Sequence, residues 1–192
     1  MARRGPYEKG EAKREEILQV ALEIFAQEGY RGTSLRKVAA RCNLSLPGLM
    51  HYFNSKEDLL TQVLRARDTS ARARHAEFKG AETYRSIIQE GADTPGLVEL
   101  FVSMAAAASD TTHPAHSLFA ERYAEIRPLI SAFLQRRMDE GAVRTDLPPE
   151  RLAAILVALA DGIQLQWLTD RTVDMQQPID DVMLLLATPR DT

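Results

Sequence analysis

The sequence predicts an all-α fold of about nine helices, with an N-terminal three-helix, helix-turn-helix head and a C-terminal helical bundle. Apolar residues recur three and four positions apart in successive segments, which is the period of an amphipathic helix. Serine, asparagine, proline and glycine stand where these segments begin and end, as helix starts and stops require. No alternating apolar and polar pattern is long enough to predict a β-strand.

Composition favours a folded protein without a membrane span. Of the 192 residues, 45% are hydrophobic and 27% are charged, which is the ordinary range for globular domains. The longest apolar run, Leu152 to Ala160, is far shorter than the roughly 20 residues that a span needs. No apolar run follows the basic N-terminus, so no secretory signal is predicted and a cytoplasmic location is expected. A single cysteine, Cys42, excludes an internal disulfide, and we expect no cofactor and no metal.

Positive charge is concentrated at the N-terminus although the net charge is −3. Residues 1–65 contain 11 Lys and Arg against 8 Asp and Glu, a net +3, so the rest of the chain carries −6. Such a basic segment suits a phosphate backbone. Solvated helix surfaces would explain the charge alone equally well. The clustered basic residues are Arg3, Arg4, Lys9, Lys13, Arg14, Arg36, Lys37 and Arg41.

The first two helices are predicted before residue 43. Apolar residues at helical spacing define a helix from Arg14 to Glu28, and Gly29 suits the left-handed position that ends it. Thr33 or Ser34 can cap the second helix, which runs to about Cys42.

A tight turn and a third helix follow. Asn43 is one of the few residue types besides glycine that tolerate a positive φ. Ser45 can cap the third helix, and Pro47 is acceptable in its first turn because those N–H groups have no intrahelical acceptor. Ser55 to Asp58 forms a capping box that opens a fourth helix. Two short helices joined in this way form a unit whose second helix can enter a major groove, although helical hairpins in bundles show the same pattern.

The chain beyond residue 65 is predicted to remain helical, because proline and glycine divide it into amphipathic segments. The fourth helix joins head and body. The predicted body helices cover Tyr84–Glu90, Pro95–Ala108, Pro114–Gly141, a segment opened by Asp146–Glu150 that runs to about Leu168, and a last segment from Pro178.

The run from Ile17 to Leu60 resembles the reading head of the tetracycline-repressor (TetR) family. The resemblance extends without a gap and implies a DNA-binding fold, but it does not imply a particular ligand. Pro47 and Met50 depart from the family pattern, which often has glycine and tyrosine there. The matching residues are Ile17-Leu18, Ala21-Leu22, Phe25, Glu28 to Tyr30, Gly32 to Ala39, Leu44-Ser45, Gly48-Leu49, His51 to Phe53 and Ser55 to Leu60.

The candidate DNA contacts differ in chemistry. Arg36 is the best candidate for a guanine contact, because its position matches one that reads bases in the resembled family; a phosphate contact or a plain surface arginine is the alternative. Apolar residues of the third helix offer only contacts with thymine methyl groups. Hydroxyls, rings and the start of the fourth helix suit phosphates, although Tyr52 would serve equally in the core. The predicted set is Arg3, Arg4, Thr33, Ser34, Arg36, Ser45, Leu46, Pro47, Gly48, His51, Tyr52 and Lys56.

The segment Leu152–Leu168 is apolar on more than one face and therefore needs two packing partners. In the resembled family the last two helices pair with the same two helices of a second subunit. A central core helix of a monomer is the alternative. The predicted dimer interface comprises Ala154, Ala158, Asp161, Leu165, Ile179, Val182, Met183 and Leu186.

Apolar residues on several body helices could line a pocket for a small effector, although each alone would equally serve as core. His113 and His116 lie three apart, but no further metal ligand is near in sequence, so a capping or surface role is favoured. The candidate effector-binding residues are Phe101, Met104, Phe119, Tyr123 and Trp167, with Arg122 and Gln164 as polar contacts.

These patterns predict a regulator with two domains, residues 1–55 for DNA binding and residues 56–192 for sensing and dimerisation. We expect a homodimer that represses transcription from a palindromic double-stranded DNA operator and is released by a small, largely apolar effector. An activator or a ligand-independent regulator of the same fold is the main alternative. The sequence disfavours a small helical enzyme, because it contains no nucleophile motif, phosphate loop or metal-ligand motif. The basic N-terminus disfavours a protein–protein adaptor.

Overall fold

The computed structural model describes residues 6–32, 34–74 and 79–187. The predicted contacts Arg3, Arg4 and Thr33 lie outside these residues. Within them the all-α prediction is confirmed, with nine helices and no strand. The helices are α1 (Pro6–Gly32), α2 (Leu35–Arg41), α3 (Leu46–Met50), α4 (Lys56–Arg74), α5 (Ala81–Ala92), α6 (Pro95–Ala107), α7 (Ala115–Asp139), α8 (Pro149–Thr169) and α9 (Gln177–Leu186).

The chain forms two compact units. The first unit comprises Met1–Ser70 and Thr94–Leu118, and the second comprises Ala71–Asp93 and Phe119–Thr192. The first unit therefore holds α1 to α3, most of α4, and α6. Because α6 packs with the N-terminal helices, these units differ from the predicted domains of residues 1–55 and 56–192.

A close helix crossing organises the first unit. A Cβ atom built on Gly96 of α6 would lie 2.0 Å from the carbonyl oxygen of Phe25 and 2.9 Å from the Cα of Gly29 on α1. Only glycine permits two helices to approach this closely. Gly29 itself interrupts the helical geometry of α1 with φ 71°, so the predicted positive φ at this position is confirmed.

Helices α7, α8 and α9 share a core in the second unit, and α5 contributes a smaller one. The larger core contains buried Ile130, Leu134, Met138, Val143, Leu152, Ala153, Leu156, Val157 and Leu186. The smaller core contains Ile88, Ile163 and Met175, with Tyr84, Trp167 and Val173 packed against it.

Much of the apolar surface of helix α8 is not buried within the chain. Among the described residues it is the one helix long and apolar enough to cross a membrane by length and composition, a test that core helices also pass. Only 28% of its most apolar window is buried within the chain. A substantial apolar surface therefore remains open along α8.

Candidate DNA-binding site

Helices α2 and α3 are each fixed at their start by a serine. The Ser34 hydroxyl accepts a hydrogen bond from the backbone N–H of Lys37 at 3.3 Å. The Ser45 hydroxyl accepts one from the N–H of Gly48 at 3.1 Å. Asn43, in the turn between the helices, has φ 54°. The predicted cap at Ser45 and the predicted turn are confirmed, and of the two candidate caps for α2 the structure describes Ser34 in that role.

The packing of the head decides which predicted contacts remain accessible. Its buried side chains include Val38, Ala39, Cys42, Leu49 and Phe53. Most of the predicted DNA contacts are consequently on the surface. Ser34, Arg36, Ser45, Pro47 and His51 are exposed, whereas Leu46, Gly48, Tyr52 and Lys56 are half-buried. The His51 and Tyr52 rings are nearly perpendicular at a centroid distance of 5.8 Å, and Tyr52 remains partly accessible.

Acidic neighbours engage several of the basic residues. Lys37 pairs with Glu28, and Arg41 pairs with Glu23 at 3.4 Å. Arg36, between them in sequence, is exposed, and its side chain has no ion pair within the described ranges. The sequence singled out Arg36 among the three cations but did not reveal these ion pairs, because the pairing acids lie on α1, many residues away. Arg36 is therefore the α2 cation that is most available to an external partner.

The N-terminus of α4 is held by a reciprocal pair of hydrogen bonds. The Ser55 hydroxyl accepts from the N–H of Asp58 at 3.0 Å. The Asp58 carboxylate accepts from the N–H of Asn54 at 2.9 Å. The predicted capping box is thus confirmed, although its return bond reaches Asn54 rather than Ser55. Lys56, the first residue of α4, stands directly on this fixed helix start.

The predicted effector-binding residues are divided between the two units. Phe101 and Met104 are buried in the first unit, and Phe119 is buried in the second. The other four, Arg122, Tyr123, Gln164 and Trp167, are half-buried in the second unit.

Two aromatic faces of the second unit are covered by guanidinium groups. Arg171 lies 3.7 Å from the centroid of the Trp167 ring, and Arg127 lies 5.3 Å from that of Tyr123. The side-chain amide of Gln164 donates to the carbonyl of Ala160 within its own helix at 3.0 Å. That bond uses one of the two amide protons, so the second proton and the side-chain oxygen are what Gln164 can offer a ligand.

Asp161, a predicted interface residue, is half-buried and bonds to a side chain of its own chain. The Tyr123 hydroxyl donates a hydrogen bond to the Asp161 carboxylate at 2.6 Å. Burial raises the pKa of Asp161, an effect that the Tyr123 bond and the charges of Arg122 and Arg127 partly oppose. Burial and the bond to Asp161 raise the pKa of Tyr123. The pair is a half-buried polar contact between α7 and α8.

The apolar surface of the last two helices also differs from the prediction. Ala154, Ala158 and Leu165 are exposed as an interface requires, but Ile179 and Leu186 are 4% and 8% exposed in the chain's own core. Their burial corrects their assignment, and Val182 and Met183 pack partly against the same core. The exposed apolar residues that sequence reasoning missed are Ile155, Leu184 and Leu185. Because residues 184 to 186 are all leucine, the sequence did not show that Leu184 and Leu185 are exposed and that Leu186 is buried.

His113, between α6 and α7, and His116, in the first turn of α7, both bond to backbone groups. His113 Nδ1 accepts from the N–H of Ala115, at the start of α7, at 3.1 Å. His116 Nδ1 lies 2.9 Å from the carbonyl oxygen of Ala108. His113 therefore has the capping role that the sequence favoured over a metal site.

Family models match both parts of the chain. The model described as "Bacterial regulatory proteins, tetR family" matches residues 17–63. The model described as "BetI-type transcriptional repressor, C-terminal" matches residues 81–188, more than half of the chain. The chain belongs to the TetR family. It is a DNA-binding transcriptional regulator, and the capped α2–α3 pair lies within the first match.

Three similar proteins each match more than two thirds of the chain. The transcriptional repressor KstR2 of Rhodococcus jostii is 27% identical in a 154-residue alignment that covers 72% of this chain and 71% of the relative. The repressor AcnR of Corynebacterium glutamicum is 24% identical over 180 residues, 93% of this chain and 94% of the relative. A crystal structure of a transcriptional regulator from Saccharomonospora viridis in complex with choline has a TM-score of 0.73 at 25% identity, covering 92% of this chain and 98% of that one.

Proposed function

We propose that the protein is a cytoplasmic homodimeric repressor that binds a palindromic operator in double-stranded DNA and leaves it when a small, largely apolar effector binds. The observation that carries this proposal is the capped α2–α3 pair, which presents an exposed Arg36 without an ion pair in the described residues. In helix-turn-helix proteins, the second helix of such a pair is the element that enters the major groove.

Base and phosphate contacts are assigned to different residues of the head. Arg36 reads guanine, because a guanidinium can bond to both acceptors of the guanine edge. Lys56, at the fixed start of α4, contacts a phosphate. Ser34 and Ser45 use their oxygen lone pairs in the caps, which leaves each hydroxyl proton for a phosphate oxygen.

The open surface of α8 supports a dimer. Arg151, Ala154, Ala158, Leu165 and Thr169 are exposed along one side of the helix at intervals of three, four and seven. A Cβ built on Gly162, on the same side, would meet nothing within 4 Å. With exposed Leu184 and Leu185 on α9, this surface suits the same two helices of a second copy. A two-fold axis would place the operator half-sites ~10 bp apart or at a similar multiple.

The effector is proposed to bind the second unit, which holds five of the seven predicted effector-binding residues. The choline complex of the Saccharomonospora viridis regulator supports a small-molecule ligand in this chain as well. A ligand lowers operator affinity only if it prefers a conformation that binds DNA less well. Coupling of about 1–3 kcal/mol corresponds to a loss of roughly 5- to 150-fold. Helices α4 and α7 are each continuous between the two units, so both are covalent routes for this coupling.

Selection of bound duplexes from a random DNA library tests the DNA-binding proposal. We expect a palindromic sequence to be enriched and a two-subunit complex to sediment with it. Monomers at micromolar concentration with the selected DNA present would contradict the dimer.

A thermal-shift screen tests the effector proposal. The screen uses choline, fatty acids and sterols, and operator binding is then measured with each hit. Compounds that stabilise the protein yet leave operator affinity unchanged at saturation would contradict release by a ligand.

A further inference from the structure

Helix α3 carries no conventional side-chain hydrogen-bonding group. Its five residues are Leu46, Pro47, Gly48, Leu49 and Met50, and the Met50 thioether is only a weak acceptor. Leu49 is buried, Pro47 is exposed, and Leu46, Gly48 and Met50 are half-buried. The accessible surface of the helix is therefore apolar side chain and bare backbone.

Two polar side chains flank α3 in sequence without belonging to it, Ser45 before the helix and His51 after it. The Ser45 hydroxyl is held by the N–H of Gly48 at 3.1 Å as the helix cap. A Cβ atom on Gly48 would lie 3.3 Å from that same hydroxyl oxygen, so the cap and the glycine are fitted to each other. His51 follows the helix and its ring is in contact with Tyr52. The surface of Leu46, Pro47 and Met50 is thus framed by polar groups that do not project from the helix itself.

An apolar surface in the major groove discriminates among bases by desolvation. Guanine, cytosine and adenine present donors and acceptors there, whereas thymine adds a C5 methyl group. Covering a hydrogen-bond donor or acceptor without giving it a partner weakens binding, whereas covering a methyl group strengthens binding. Building on the proposed operator binding, we propose that Leu46, Pro47 and Met50 recognise thymines through their C5 methyl groups.

Two kinds of contact would therefore recognise the bases of each operator half-site. Arg36 on α2 would bind guanine through hydrogen bonds, and α3 would contact the methyl groups of thymine. The missing side chain at Gly48 makes room for the Ser45 cap within the head, so the apolar contacts fall to Leu46, Pro47 and Met50.

Deoxyuridine tests the proposal directly, because it differs from thymidine only by the missing methyl group. The operator selected from a thymidine library is resynthesised with each thymine replaced in turn. We expect affinity to fall about fourfold at each contacted position, the effect of uncovering one methyl-sized group. Replacement by 5-bromodeoxyuridine, whose bromine fills the place of the methyl group, should restore binding.

Two substitutions assign the effect to its residues. Pro47→Ala should reduce the preference for thymidine over deoxyuridine while leaving the melting temperature within a few degrees, because Pro47 is exposed. Arg36→Ala should leave that preference intact while lowering the preference for guanine. Tight binding with equal affinity for the thymidine and deoxyuridine operators would overturn the recognition of thymine methyl groups but leave the proposed DNA binding standing. Failure to enrich any sequence from the library would overturn the proposed function, and methyl reading with it.

Discussion

The Tyr123 hydroxyl on α7 and the Asp161 carboxylate on α8 are joined by a hydrogen bond of 2.6 Å within the second unit. Burial outweighs this bond and the nearby arginines, so the folded protein holds the pKa of Asp161 above its ordinary value. The folded state therefore binds the Asp161 proton more tightly than the unfolded state does. The associated stability is fully present below the unfolded-state pKa and is lost as pH rises through the folded-state pKa.

Asp161→Asn should raise the melting temperature near neutral pH, and this gain should shrink as pH falls toward about 4. The amide oxygen of asparagine still accepts the Tyr123 bond but carries no charge to desolvate. Thermal denaturation across this pH range measures the effect. Asp146→Asn is the control with the opposite trend, because the Arg144 guanidinium lowers the pKa of Asp146. A gain for Asp161→Asn that is independent of pH would contradict the assignment.

Gly96→Ala should destabilise the protein by about 1–3 kcal/mol, the usual cost of overpacking. The new methyl group would meet the backbone of α1 rather than a movable side chain. Gly10→Ala is the matched control: nothing lies within 4 Å of its Cβ position in α1. Alanine there should stabilise the helix by up to about 1 kcal/mol. Chemical denaturation compares the two variants, and equal stabilities would argue against the close crossing.

Leu185→Glu should weaken dimerisation by about tenfold or more, since burial of one leucine contributes about 1.5–3 kcal/mol. Leu185 is 72% exposed on α9, so the folded subunit should tolerate the charge. Leu129→Glu places the same charge at an α7 leucine that is 44% exposed. Analytical ultracentrifugation should show a dimer for this control. Dissociation of both variants to the same extent would place the interface elsewhere.

Arg36→Ala and Lys56→Ala should separate base reading from phosphate contact. The Arg36 change should cost about 1–3 kcal/mol at one base position and relax specificity there. The Lys56 change should weaken all sequences alike and reduce the salt dependence by about one counterion. Binding titrations with matched and mismatched operators at several salt concentrations measure both effects. Uniform loss with Arg36→Ala would reassign that residue to the phosphate backbone.

Local chemistry explains why the α2–α3 unit was predictable from sequence. A serine cap acts on an N–H three residues away, and the positive φ of Asn43 is a property of that residue type. Such interactions lie within one turn of helix, so the sequence contains both partners side by side. The starts of α8 and α9 were predictable for the same reason, because proline occupies their first turns.

Contacts between distant segments were not predictable in this way. The spacing of Ala158, Asp161 and Leu165 places all three on neighbouring positions of α8, yet Asp161 turns inward because Tyr123 lies on α7, 38 residues earlier. On α9 the helical period alone left open whether Leu185 or Leu186 faces the core. Likewise, the pairing of Lys37 with Glu28 depends on how α2 packs on α1.

The chain has a single tryptophan, and Trp167 packs against the smaller core of the second unit beneath the Arg171 guanidinium. Tryptophan emission from the unlabelled protein therefore originates entirely outside the α1–α3 head. A small molecule that binds near this ring would change the wavelength and the intensity of its fluorescence emission. The head contains no indole among its described residues and contributes no such signal. The protein thus carries a single intrinsic fluorophore, which reports on the second unit and not on the α1–α3 head.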